Sequence, residues 1–255
     1  MTQNAWIRFP KPNPQARLRL FCFPYAGGGA SLFRGWPAAL PGTIEVCPIQ
    51  LPGREDRLRE APFDRLDVLV QVLRSVLWPY LDKPFALFGH SMGALISYAL
   101  ARQLSRSPGL APTRLLVAGQ QAPHLPDAEA PLHSLPAPQF LAETHRRYQS
   151  IPEAVWQDEE FMGLLLPLLR ADFTLVETFT YTNADPLTSP ISAFGGLEDA
   201  SVTQQGVEAW REQTQGAFKL HMLPGNHFFL NQNASALLDA ITQDLMDTGL
   251  TLPHP

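Results

Sequence analysis

The sequence predicts an α/β fold: a mostly parallel central sheet flanked by helices, with a helical segment inserted into it. Three observations lead there. Short apolar runs rich in β-formers alternate with longer segments whose apolar residues recur at helical spacing. Such alternating strand–helix units imply a parallel sheet covered by helices. The alternation breaks once, between residue 120 and about 188, and then resumes.

The first strand is predicted over 17–23 (RLRLFCF), and the glycine-rich turn PYAGGGAS follows it. A second, TIEVCPI, covers 43–49. Residues 64–81 form a helix, with Leu66, Val68, Leu69, Val72, Leu73, Val76 and Leu77 on one broad apolar face. PFALFG (84–89) is a third strand, MGALISYALARQLS (92–105) a second helix and TRLLVAG (113–119) a fourth strand. Proline is then dense, at Pro123, Pro126, Pro131, Pro136 and Pro138. Two or three helical stretches follow: APQFLAETHRRYQ (137–149), AVWQDEEFMGLLLPLLRADF (154–173) and, as the third, LVETFTY (175–181). The last units are a strand at 190–196, a helix at 202–214, a strand at 217–223 and a helix at 234–247. A structureless loop as long as 121–188 is uncommon inside a compact domain. That insertion is therefore expected to fold as a helical lid within one domain spanning 1–255. The first dozen residues and LTLPHP (250–255) read as tails.

Composition excludes several classes. The chain has 255 residues, 45% hydrophobic and 17% charged, with a formal net charge of −5, so it lacks the basic footprint of a nucleic-acid binder. No apolar run reaches the length of a membrane span, because FMGLLLPLLRADF is short and interrupted by Pro167 and Arg170. The N-terminal stretch has no apolar core of a signal peptide. A cytoplasmic monomer without metal or organic cofactor is expected. Cys22 and Cys47 both sit in apolar strand-like runs without CxxC spacing and read as buried, reduced thiols.

The sharpest motif is Gly89-His90-Ser91-Met92-Gly93, a G-x-S-x-G between a buried strand and a helix. At such a tight strand-to-helix turn the serine Oγ is lifted out of the sheet, and the glycines leave room for the strained backbone. This predicts an α/β-hydrolase fold with Ser91 as nucleophile. His90, next in the chain, is expected to pack or hydrogen-bond beneath the turn. The fold requires the chain order Ser, then Asp or Glu, then His. Of the seven histidines, His124, His133 and His145 lie in the insertion, His254 in the tail and His221 inside a strand. His227, in the turn Pro224-Gly225-Asn226 after the last strand, is the predicted general base. The turn Gly195-Gly196-Leu197-Glu198-Asp199 ends the preceding strand, and Asp199 is the predicted acid, with Glu198 its competitor. After the fourth strand no carboxylate follows closely, Asp127 being the nearest, and Asp172 and Asp185 in the insertion are expected to be solvated or ion-paired. The oxyanion is expected on the backbone N–H of Met92 and on one from the loop Pro24-Tyr25-Ala26-Gly27-Gly28-Gly29. Ala26 is the preferred donor, with Tyr25 and Gly27 as alternatives.

Together FPYAGGGASLFRGW, QLPGRE, GHSMGALISYALARQL, LLPLLRADFTLVETFTY, GGLEDASVTQQGVEAW and LPGNHFFL resemble the type II thioesterases. These are stand-alone enzymes that accompany nonribosomal peptide and polyketide synthases, and the resemblance spans nearly the whole chain. It implies hydrolysis of acyl thioesters from the phosphopantetheine arm of acyl- or peptidyl-carrier proteins. Ser91, Asp199 and His227 match its triad, and Ala26 and Met92 its oxyanion positions. It also implies a lid over an acyl chamber. Phe140, Leu141, Phe161, Met162, Leu164, Leu165 and Leu168 are either lining for that chamber or packing of the lid on the core. Where the family commonly has two arginines, this chain has Gln120-Gln121, which bears on charge-based contacts there and not on the triad. The residues alone leave open a carboxylesterase or lipase on free small esters, an inactive scaffold, and acyl transfer to an alcohol or amine.

Overall fold

A computed structural model describes residues 4–9, 11–127, 129–148 and 159–247. Six strands form one sheet: β1 (Leu18–Phe23), β2 (Ile44–Pro48), β3 (Phe85–His90), β4 (Arg114–Ala118), β5 (Ile191–Gly196) and β6 (Phe218–Leu223). Their order is β2-β1-β3-β4-β5-β6, and each neighbouring pair is parallel. All six expected strands are present, within a residue or two of their expected ends.

The strands read as nearly unbroken apolar runs because both faces of the sheet are covered. Leu18, Leu20 and Cys22 of β1 point to one core with Ala86, Phe88, Leu116 and Phe194. The alternate residues Phe21 and Phe23 point to the other, with Leu87, Leu115, Val117 and Ala193. Helices α1 (Trp36–Ala39) and α8 (Ala234–Met246) close the first face through Trp36, Leu237, Ile241 and Leu245. Helices α2 (Leu66–Leu77) and α3 (Met92–Ser105) close the second. Cys22 and Cys47 fall on opposite faces, both buried and free, and burial pushes both thiols up in pKa.

Three expectations change in detail. The buried stripe of α2 is Leu66, Leu69, Val70, Leu73 and Leu77, while Val68 faces solvent. The helix is a surface helix, so only the narrower stripe reaches the sheet. The N-terminal segment is not a loose tail over its described residues 4–9: Ile7 is buried and bridges Ile49, covering the outer edge of β2. In the insertion, α4 (Ala137–Tyr148) is present, and α5 (Glu159–Glu177) absorbs the start of LVETFTY. Leu175 is buried in the main core, which carries α5 on until the chain leaves it at Thr178. Residues 154–158 of that predicted helix, the side chain of Phe161, His254 and the LTLPHP tail lie outside the described residues.

Candidate active site

Strands β1 and β2 lie to one side of β3 and the later strands to the other, so the connections diverge between β1 and β3. Ligand sites of open α/β sheets lie beyond the carboxyl ends of strands at such a switch point. Each predicted site residue follows the end of a strand there: Ala26 after β1, Ser91 after β3, Asp199 after β5 and His227 after β6.

Ser91 sits at φ 52, ψ −117, a strained conformation for a residue with a Cβ. The surroundings hold it there. Its N–H donates to the Ala118 carbonyl at 2.7 Å, and its carbonyl accepts from Ala94 at 2.9 Å. The flanking glycines are steric requirements. A Cβ on Gly89 would stand 1.9 Å from the Gly93 carbonyl oxygen, and one on Gly93 would stand 2.2 Å from that of Phe23. Helix α3 thus begins hard against both β3 and the end of β1. Its first N–H groups and its dipole face the space beside Ser91. Among the described residues, the Ser91 hydroxyl and the N–H of Met92 make no hydrogen bond.

His227 and Asp199 are brought together. Nδ1 of His227 lies 2.8 Å from Oδ2 of Asp199, and both side chains are buried. A carboxylate only accepts, so Nδ1 carries the proton and Nε2 is left as the acceptor nitrogen. Burial alone would raise the Asp199 pKa. The hydrogen bond and charge of His227, together with two hydrogen bonds from Ser201, outweigh it and hold the carboxyl below its usual range. Glu198 is exposed and its backbone N–H is tied to Gly225, so it does not share this contact.

Ser201 is a residue that sequence reasoning missed. Its hydroxyl donates to Oδ1 of Asp199 at 2.7 Å and lies 3.1 Å from Nδ1 of His227. Its N–H and that of Val202 also donate to Oδ1. The signal was present as Asp-x-Ser, since an aspartate commonly bonds the backbone two residues on.

The loop after β1 is held on several sides. Gly27 has φ 76, and its N–H donates to Oδ2 of Asp172 at 2.7 Å. It is therefore not available to an oxyanion, whereas the N–H of Ala26 makes no hydrogen bond among the described residues. Asp172, expected to be solvated or ion-paired, is 1% exposed and forms a two-pronged pair with Arg54 at 2.8 and 2.9 Å.

His90 is fully buried under this site, and neither ring nitrogen meets a hydrogen-bond partner among the described residues. It packs rather than hydrogen-bonds. Its ring lies 5.4 Å from that of His227 and 5.8 Å from that of Tyr25, and Gly119 leaves no room for a Cβ beside it. Burial pushes its pKa down to about 3; the charge of His227 adds to this, and the His227 backbone and Asp199 oppose it by less. Three other histidines are engaged elsewhere. His221 bonds Asp244 and stacks on Phe194, His133 bonds Glu177, and His124 bonds Gln213.

In the insertion, Phe140 and Met162 pack with Leu132, Leu169 and Phe173 into a small core of their own. Leu141 and Leu165 lean on it, Leu168 packs toward Gly53, and Leu164 is exposed. Most of these residues pack the insertion. Gln121 bonds Pro126 and Asp127, and the Gln120 carbonyl accepts from Trp210, so this stretch ties the insertion to the helices after β5. A groove lined by Arg65, Tyr98, Arg102, Phe179 and Tyr181 lies near the far end of α3, roughly 16 Å along the helix from Ser91 at 1.5 Å per residue.

The sheet order and the loops converging on its carboxyl edge are those of an α/β-hydrolase. The thioesterase domain model matches residues 18–245. The chain therefore belongs to the thioesterase family, and it is a thioester hydrolase. It is 46% identical to the gramicidin S biosynthesis protein GrsT of Aneurinibacillus migulanus, over 95% of this chain and 94% of that protein. The RedJ thioesterase from the prodiginine pathway of Streptomyces coelicolor superposes with a TM-score of 0.84 at 40% identity, covering 91% of this chain and 92% of that one. The type II thioesterase BorB from the borrelidin cluster gives 0.85 at 36% identity, covering 95% and 98%. Among the described residues no helix is long and apolar enough to cross a membrane.

Proposed function

We propose that this chain is a type II thioesterase of a nonribosomal peptide or polyketide pathway. It would clear acyl groups from the phosphopantetheine arm of carrier proteins in the cytoplasm, as a monomeric single domain with residues 121–188 as its lid. The Asp199–His227 hydrogen bond, at strand ends on the same edge as Ser91, is the observation that carries the chemistry. The pathways named for GrsT, RedJ and BorB support the setting.

In this mechanism Ser91 Oγ attacks the thioester carbonyl while Nε2 of His227 takes its proton. The oxyanion forms between the N–H groups of Ala26 and Met92, where fixed donors cost no reorganisation during reaction. Collapse expels the phosphopantetheine sulfur, which takes the proton from His227 and leaves as the thiol. Water, deprotonated by the same nitrogen, then attacks the acyl-enzyme, and the acid departs as Ser91 recovers its proton. Asp199 holds the imidazole tautomer and stabilises its cation. The Ser91–His227 hydrogen bond would form in the substrate complex, since such bonds often tighten only there.

The test is a carrier protein loaded with a short acyl-phosphopantetheine thioester, its release followed by mass spectrometry, with a nitrophenyl ester as control. Rapid release by wild type, lost in Ser91→Ala, is expected. Turnover of the nitrophenyl ester with no release from the carrier would overturn the carrier assignment in favour of an esterase acting on free esters.

A further inference from the structure

The loop that follows β1 has no regular structure, yet its peptide planes are individually held. The N–H of Gly27 is fixed by Asp172, and the Gly28 carbonyl accepts from Nη1 of Arg54 at 3.1 Å. Arg54 reaches this position through its pair with Asp172 and is itself 3% exposed. Beyond the loop, the N–H of Ala30 donates to Oε1 of Gln50, whose Nε2 donates to the Arg54 carbonyl, both at 2.9 Å. Three segments distant in sequence thus meet on one loop: PYAGGG, LPGRE, and the LRAD turn of α5 in the insertion.

We propose that Asp172 and Arg54 are positioning residues for the oxyanion hole, and that through Asp172 the insertion helix α5 sets its geometry. This rests on the proposed roles of Ala26 and Met92. Peptide planarity carries the argument. Clamping the Gly27 N–H fixes the plane that begins at the Ala26 carbonyl, and clamping the Gly28 carbonyl fixes the next turn. The plane that carries the Ala26 N–H begins at the Tyr25 carbonyl, which accepts from the Gly28 N–H at 2.9 Å, so with both neighbouring planes held the unbonded N–H points in one direction. Gly27 is held from the α5 side as well, where a Cβ would lie 2.8 Å from Leu169 Cδ2. A small shift of α5 toward or away from the sheet would move the Gly27 amide with the Asp172 carboxylate, and Ala26 with it.

Removing one member of a buried pair strands the other charge and destabilises the fold. The test therefore uses the neutral double variant Arg54→Met with Asp172→Leu, which strands no charge, and beside it Asp172→Asn, which keeps the side-chain shape at the cost of the unpaired Arg54 charge. Both run beside wild type and Ser91→Ala on the acyl-carrier thioester, with active sites counted by a fluorophosphonate and folding followed by thermal melting. The expected result is a kcat per titrated site lower by about 10- to 100-fold, the scale of a misplaced catalytic group, with KM changed little. Binding of a reversible trifluoromethyl ketone analogue should weaken by the same factor, while binding of an uncleavable thioether carrier stays as in wild type. A wild-type kcat per site in a folded variant, or a loss confined to KM, overturns the positioning role. So does a lower kcat with unchanged ketone affinity. If the double variant does not fold, Asp172→Asn carries the same comparison. Turnover that survives Ser91→Ala overturns the proposed function itself, and is told apart by that control.

Discussion

Tyr148, the last residue of α4, places its ring 5.1 Å from the ring of His227. The insertion therefore touches the predicted base directly, as it touches the loop after β1 through Asp172. Burial pushes the Tyr148 phenol up to about 12, so it stays neutral at working pH. Its contact with the imidazole is one of packing and water exclusion. An aromatic contact of this kind is worth about 1 kcal/mol, or roughly fivefold in rate. Tyr148→Ala is expected to lower kcat/KM on the acyl-carrier thioester by that factor, and Tyr148→Phe to retain wild-type activity.

The carboxylate that orients His227 is separable from its neighbour by substitution. Asp199→Asn should reduce kcat by about 10⁴-fold, as loss of the tautomer-setting acceptor does in serine triads. Glu198→Gln should leave it unchanged. Ser201→Ala removes one hydrogen bond to the charged carboxylate and should cost about tenfold. Equal activities of Asp199→Ala and wild type would transfer the role to Glu198.

The glycines of the elbow should behave unlike other glycines. Gly89→Ala and Gly93→Ala force a Cβ into backbone atoms that cannot yield. Each is expected to cost about 3 kcal/mol or more and to give little folded protein. Gly35→Ala, where an added Cβ meets nothing within 4 Å, should be neutral or slightly stabilising. Denaturant unfolding of the three variants checks this.

His90 makes stability depend on pH. Its pKa is about 3 in the folded protein and near 6.5 in the unfolded chain. Below about 6.5 the unfolded state binds a proton that the folded state refuses, so stability falls as pH drops from about 6.5 toward 3. The slope approaches about 1.4 kcal/mol per pH unit for this one group. Asp199, whose folded carboxyl is held low, adds stability that is lost only as pH falls through its own folded pKa. Urea unfolding of wild type and His90→Phe between pH 7 and 4 should show a shallower decline in the variant. Parallel slopes would refute the assignment to His90.

Much of the architecture was legible from local pattern alone. A strand buried on both faces writes itself as an apolar run, as in FALFGH, and a helix with one buried stripe repeats every three to four residues, as in Leu66, Leu69, Val70, Leu73 and Leu77. The elbow was equally plain, because G-x-S-x-G is a local pattern between a strand and a helix, although what requires Gly93 is the Phe23 carbonyl, 70 positions earlier in the chain. Chain order and strand ends then singled out His227 and the Glu198-Asp199 pair. Other features required the tertiary structure. The choice of Asp199 over Glu198 depends on which carboxylate faces a ring 28 positions further along the chain. Short α1 and α7 (Phe229–Gln232) are too brief to show a period. The Asp172–Gly27 bond joins residues 145 apart, and no periodicity records a contact between an insertion helix and the loop at the carboxyl end of β1. Local propensity and burial pattern are written residue by residue, but long-range pairing of polar groups appears only when packing removes water and leaves each buried charge a single partner to find.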